Sequence, residues 1–326
     1  MPCDGVDSRE SVIYANSVNT LGIWRMTFRR EPRFLRSNRR PSFTTKKRDE
    51  ESELEKVIRR DVVTVAKTTP IRLCAQKMAR SGYRRMPVTV EQRRLVGIVT
   101  ATDIVNYLGG GEYYAIVQKR HGGNIFTALE EPVSSIMTRG VVKAYYEETR
   151  EDVVSKMIKF NVGGMPVVVE DEVVGIVTER DLLRTVSDRI PDLLVRDVMT
   201  HDVVTVRIDE TLLDLARRII ERGVRRLPVL SQNRVVGVVS SMDIVKYIAS
   251  SEPFRHVVLG LVEEVMKARV ADIASPSVIT ISPESRLSDA YRLMIERDVG
   301  MLVVSRSNEL RGLITERDIL LACFSR

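Results

Sequence analysis

GIVTERD occupies residues 175–181, and GLITERD, with five of its seven letters the same, occupies residues 312–318. Two looser copies, GIVTATD (97–103) and GVVSSMD (237–243), complete a set of four. Each has Gly, two β-branched or Leu residues, Thr or Ser, two variable residues and Asp. Recurrence at domain-like spacing is the mark of a chain built from copied units.

Working outward, the same order of elements surrounds every copy. A Val/Thr run comes first: DVVTV at 61, GVVKA at 140, DVVTV at 202 and SVITI at 277. An amphipathic stretch, a second apolar run, a short polar turn and the Gly-led run follow. A last helix-like stretch (DIVNYL, DLLRTV, DIVKYI, DILLAC) begins at each motif Asp. Alternating runs bounded by turns read as strands, and apolar spacings of three and four read as helix. Each unit is therefore β-α-β-β-α, its middle strands a hairpin. The motif glycines lie 78, 62 and 75 residues apart, so the units group as two pairs. The division is 49–108 (unit 1), 109–133 (helical linker, one extra helix), 134–188 (unit 2), 189–249 (unit 3), 250–270 (helical linker) and 271–326 (unit 4). The fold class is α/β (α+β), a disc-like assembly of two tandem pairs. The pairs close either within one chain or between two.

Residues 1–48 share none of this pattern. They hold eleven Lys or Arg against four Asp or Glu, a balance of +7, which is the whole net charge of the chain. The remaining residues carry forty of each sign. The basic pI belongs to a tail that reads as disordered, with Met26 an alternative start. Trp24, Phe28 and Phe34 interleave with its arginines, a pattern that also suits nucleic acid. Three scattered cysteines (Cys3, Cys74, Cys323) give neither a disulfide framework nor a metal-ligand spacing. No secretion signal or membrane-length apolar run is present, so a cytoplasmic protein without membrane contact is expected. No catalytic constellation emerges from His121, His201 and His256, which stand in separate segments. The expectation is a protein that is not an enzyme.

The repeated stretch has two chemical readings. Thr or Ser between strand and helix is an N-cap, and an acid three residues on makes a capping box. The glycine would then serve the turn entry. Against this, Asp stands in all four copies where Glu is the commoner capping acid. A helix N-terminus with a hydroxyl attracts anions. An Asp one turn in can accept both hydroxyls of a ribose, and the β-branched strand residues supply a flat apolar slot for a base. Together these form a nucleotide clamp.

A β-α-β-β-α unit closing in Gly-h-h-[Thr/Ser]-x-x-Asp resembles the CBS domain, the module named after cystathionine beta-synthase. The resemblance covers residues 58–326 in four copies. In layout it is similar to the nucleotide-sensing gamma subunit of the AMP-activated kinase and to stand-alone archaeal four-CBS proteins. It implies that paired units pack through their sheets and leave two clefts, one unit supplying Thr and Asp and its partner supplying basic residues. On that basis the Thr178/Arg180/Asp181 cleft receives Arg84 and Arg85 of unit 1. The Thr315/Arg317/Asp318 cleft receives Arg225 and Arg226 of unit 3. The clefts of Thr100/Asp103 and Ser240/Asp243 face Gly163-Gly164 and Gly300-Met301, lack the second basic wall, and are expected to be weak or empty. Unit 4 departs from the pattern in having MLVV at 301–304 without the proline. The resemblance implies an adenine nucleotide ligand (AMP, ADP or ATP), with or without magnesium, and an effector that is another molecule. A homodimer, a tail that binds nucleic acid and a ligand-free scaffold stay open as alternatives.

Overall fold

The computed structural model describes residues 52–324, apart from 92, 256 and 308. The tail and its nucleic-acid reading lie outside the described residues.

Unit 1 runs β1 (Val65–Ala66), α1 (Ile71–Ser81), β2 (Arg85–Val90), β3 (Arg94–Thr100) and α2 (Ala101–Leu108). Two helices rather than the expected one, α3 (Tyr114–His121) and α4 (Ile125–Leu129), lead to unit 2. Unit 2 is β4 (Ala144–Tyr145), α5 (Arg150–Lys159), β5 (Gly164–Val169), β6 (Glu172–Thr178) and α6 (Glu179–Leu183). After α7 (Val195–Val198) comes unit 3: β7 (Val206–Arg207), α8 (Leu212–Arg222), β8 (Arg226–Ser231), β9 (Arg234–Ser240) and α9 (Ser241–Ala249). Helix α10 (Val262–Met266) precedes unit 4: β10 (Thr280–Ile281), α11 (Leu287–Glu296), β11 (Met301–Arg306), β12 (Glu309–Thr315) and α12 (Glu316–Phe324).

Local sequence explains these elements. In α8, Leu212, Leu215, Ala216 and Ile219 recur on one face and are all buried, the spacing of a helix with one apolar stripe. Helix α1 repeats it with Ile71, Cys74, Ala75 and Met78 and ends at Gly82 in the left-handed region. In each unit the first strand is parallel to the second and the second antiparallel to the third. The β5–β6 and β8–β9 hairpins turn through Glu170-Asp171 and Gln232-Asn233, all at positive φ. Two such residues in succession match the twist of the flanking strands.

Pairing follows from a crossed arrangement. The segment ahead of each unit leaves its own sheet and bridges its partner's third strand, one residue past the motif glycine. Arg59 bridges Ile176, Thr138 bridges Ile98, Thr200 bridges Leu313 and Ser275 bridges Val238. Each bridge is a reciprocal pair of backbone hydrogen bonds of 2.8–3.0 Å. This close approach accounts for the glycine. A Cβ on Gly237 would lie 2.7 Å from the Ser275 carbonyl oxygen, and one on Gly312 2.8 Å from that of Thr200. The glycine thus serves the crossing segment as well as any turn entry.

Helices join the pairs. One continuous core gathers helix residues of units 1 and 3, among them Met78, Leu108, Leu215 and Ile248. A second gathers those of units 2 and 4, among them Met157, Leu182, Met294 and Ile319. Strands tie 1 to 2 and 3 to 4, and helices tie 1 to 3 and 2 to 4. A single chain therefore closes the ring of four.

Candidate functional site

Each motif hydroxyl sits where a third strand hands over to a helix. Thr100, Thr178, Ser240 and Thr315 all have their backbone amide and hydroxyl donating to Oδ2 of the Asp three residues on. At Thr178 these bonds are 3.0 and 2.5 Å, and at Thr315 both are 2.7 Å. The capping box is realised at Thr100, Thr178 and Ser240 with Asp as its acid, so the preference for Glu does not argue against it. The two readings are compatible, because the cap takes one carboxylate oxygen and leaves the other.

The fate of the other oxygen differs between clefts. At Asp181, Oδ1 accepts from Arg59 Nε at 2.8 Å, and the carboxylate is almost wholly covered. Asp318 has no cation within ion-pair distance among the described residues. Burial dominates there and raises its carboxyl above the ordinary range despite the bonds from Thr315.

Two clefts bring the expected hydroxyls and arginines together, while Asp181 and Asp318 do not line them. One is lined by Arg59, Tyr83, Arg84, Arg85, Thr178 and Arg180, and has a volume of about 150 Å³. The other is lined by Arg225, Arg226, Thr315 and Arg317 with Val203 and Val204, and has about 270 Å³. The arginines at the starts of β2 and β8 thus reach the hydroxyl-capped helix starts of units 2 and 4, because each pair is packed about a crossed hairpin.

A third cleft corrects an expectation. The space of about 230 Å³ between β9 and unit 4, on the Ser240/Asp243 side, is lined by Arg84, Arg180 and Arg226 with Gly300 and Met301. Two of its three arginines, Arg84 and Arg180, come from the opposite pair, which the sequence of units 3 and 4 alone does not reveal. The glycine there is not a gap in a wall. A Cβ on Gly300 would lie 2.6 Å from Glu316 Oε2 and 3.0 Å from Arg226 Nη2, so its bareness admits the charged groups.

All these clefts open onto one charged centre. The two TERD copies meet there crosswise. Arg180 Nε donates to Glu316 Oε1 at 2.5 Å, and Arg317 Nε donates to Glu179 Oε1 at 2.5 Å. Glu179 also accepts from Arg225 Nη2 at 3.5 Å, and Arg180 from its other side reaches Asp298 at 2.7 Å. Glu179 and Glu316 are each 7% exposed. Burial alone would raise the Glu179 carboxyl, but Arg317 and Arg225 outweigh it and hold it below the usual range.

Six arginines (84, 85, 180, 225, 226 and 317) gather round these two buried glutamates, with the exposed Asp298 as a further acceptor for Arg180. The cleft still wets Arg85 and Arg226, although protein packs closely round both. Burial, then the neighbouring arginines Arg225 and Arg84 respectively, pull each guanidinium down to about 9. Arg84 is lowered for the same reasons. Crowded cations with too few partners make a site that gains from an anion. Among the described residues, no three His, Cys, Asp or Glu side chains gather to hold a metal, and no helix is long and apolar enough to cross a membrane.

Comparison with known proteins places this architecture. A protein of Methanocaldococcus jannaschii, MJ1225, is 35% identical over 263 residues, 79% of this chain and 94% of that protein. Its crystal structure, described as a proposed archaeal homolog of g-AMPK, superposes with a TM-score of 0.78 over 82% of this chain and 98% of its own, at 34% identity. A 33.4 kDa protein encoded in the ribosomal RNA operon of Thermofilum pendens is 30% identical over 74% of this chain and 81% of its own. A Pyrococcus horikoshii structure with 19% identity shares the fold at a TM-score of 0.52 over 83% of this chain and 99% of its own. The CBS domain family model matches residues 54–110, 133–188, 195–250 and 270–325, and the chain belongs to the CBS domain family.

Proposed function

We propose that the chain is a regulatory protein that senses adenine nucleotides in the Thr178 and Thr315 clefts. The carrying observation is the convergence of hydroxyl-capped helix N-termini with an arginine cluster that outnumbers its buried carboxylates. Phosphates meet Arg84 and Arg85 in one cleft and Arg225 and Arg226 in the other, with Arg180 and Arg317 between them. The motif Asp offers its remaining oxygen to the ribose, and Val203 and Val204, or Val62 and Val63, flank the base. The likeness to MJ1225, itself set beside g-AMPK, supports adenine as the base. The third, arginine-walled cleft is a further anion site rather than an empty one.

Signalling follows from the crossed TERD pairs. Arg180 and Arg317 tie one pair of units to the other through Glu316 and Glu179. A phosphate competes with those carboxylates, so occupancy favours one relation of the halves over another. A separate effector reads that change. The test is calorimetric titration with AMP, ADP and ATP. Arg225→Gln with Arg226→Gln should weaken binding in the Thr315 cleft by about a hundredfold, the range for losing two charge-assisted hydrogen bonds. Unaltered affinity, or no heat with any nucleotide, overturns the reading.

A further inference from the structure

Four positions in the chain are structurally equivalent: Arg59, Thr138, Thr200 and Ser275, the residues that bridge the partner's third strand one place past the motif glycine. Three are short hydroxyl residues. The fourth is an arginine, and its side chain reaches across the cleft to the partner's motif carboxylate. Of the four motif aspartates, Asp181 alone is buried, whereas Asp103, Asp243 and Asp318 keep partial exposure. Arg59 lines the Thr178 cleft where Thr200 lines the other. The Thr178 cleft is also the smaller of the two matched clefts, about 150 against 270 Å³.

We infer that Arg59 is an internal latch that sets the Thr178 cleft apart from the Thr315 cleft, holding the carboxylate that a ligand diol must reach. The inference rests on the nucleotide reading given above. Oδ2 of Asp181 is committed to the helix cap. Oδ1 is the oxygen left for two ribose hydroxyls, and Arg59 Nε donates to it at 2.8 Å. A diol that needs both acceptor directions of that oxygen displaces the guanidinium. The Thr315 cleft carries Thr200 at the equivalent place and has no such competitor, so it fills first. The Thr178 cleft fills only at higher ligand concentration, when Arg59 is released. Its release acts on a short segment pinned to unit 2 by the buried Leu54 and by Ser52, whose hydroxyl donates to the Tyr146 carbonyl. The second binding event thus frees a side chain that the first does not touch. One protein then responds at two concentrations.

The test is calorimetric titration with AMP of full-length chains whose folding is checked by thermal melting. In an Asp318→Asn background, which weakens the Thr315 cleft, Arg59→Thr should tighten AMP binding at the Thr178 cleft about tenfold. That is the range for removing one half-exposed, charge-assisted competitor. Arg59→Lys, which keeps a cation, should stay weak, as the latched parent is. In the otherwise unaltered chain, Thr200→Arg should install a latch and weaken the Thr315 cleft by a similar factor. AMP binding at the Thr178 cleft that is unchanged or weakened by Arg59→Thr, while the Thr315 cleft of the unaltered chain binds AMP, overturns the latch and leaves the nucleotide reading standing. No AMP binding in any chain overturns that reading and the latch together.

Discussion

Replacing Glu179 with Gln isolates the energetics of the charged centre. The carboxylate is 7% exposed and accepts from Arg317 Nε at 2.5 Å and Arg225 Nη2 at 3.5 Å. Coulomb attraction falls with distance, so Arg317 is the stronger partner. Glutamine keeps the shape and one acceptor but removes the charge. Arg85, Arg225 and Arg317 then face one another with Glu316 as the only buried carboxylate nearby. Removing one partner of a buried ion pair costs about 3–5 kcal/mol, because the remaining charge is left uncompensated. For a body of this size about 1 kcal/mol moves Tm by roughly 2–4 °C, so a fall of about 6–12 °C is expected at the lower cost. Arg317→Met in the same chain should recover part of the loss, since it removes one orphaned cation. The pH dependence has a definite sign. The folded carboxyl lies below its ordinary value, so its contribution is present above the unfolded pKa of about 4.5 and is lost as pH falls through the folded value. The difference between wild type and variant should therefore shrink on acidification. Melting followed by circular dichroism reads all of this. A fall under about 2 °C, with no coupling to Arg317→Met, would show that solvent already screens the cluster and would refute the argument.

Gly312→Ala places a Cβ 2.8 Å from the Thr200 carbonyl oxygen, and backbone cannot swing aside as a side chain does. A destabilisation of about 1–3 kcal/mol is expected, seen as a lowered urea midpoint; an unchanged midpoint would show that the crossing segment is loose. Pyrophosphate should raise Tm well above what chloride does at equal ionic strength, by RT ln(1 + [L]/Kd). Burial and neighbouring arginines lower Arg85 and Arg226 to about 9. These cations therefore cost stability at neutral pH, and the cost is relieved as pH rises past that value. The pyrophosphate effect should accordingly diminish between about pH 7.5 and about pH 10, and a pH-independent effect would place the anion elsewhere.

The fold was largely legible because its signals are local. Apolar residues spaced as in Leu212, Leu215, Ala216 and Ile219 announce a helix without reference to the rest of the chain. Four repetitions of one order, with unequal glycine spacing, also announced the pairing. Two points were not legible. The linker at 109–133 holds α3 and α4 where one helix was read, since Gly122 and Gly123 divide a run whose apolar pattern is weak. The motif glycine was read as turn chemistry, but it also makes room for a carbonyl that belongs to a segment far away in sequence.

The candidate site divides in the same way. The hydroxyl, the motif Asp and the paired arginines were visible because each copy could be compared with the others position by position. That comparison treats the units as independent, and it failed where they are not. It assigned bare walls to the Ser240 cleft, although Arg84 and Arg180 cross from the other pair to line it. Nor did it show what Glu179 and Glu316 meet. The structure gives each glutamate the arginine of the other copy. The fuller repetition of TERD follows from this. A head-to-head contact between two copies needs complementary charges in both, so Glu and Arg occur together in units 2 and 4. The looser copies in units 1 and 3, with Ala-Thr and Ser-Met at those places, meet no such partner. Arg59 lay further beyond reach, ahead of the first repeated run. Its equivalence to Thr138, Thr200 and Ser275 is defined by a bridge to another unit, not by any spacing within its own.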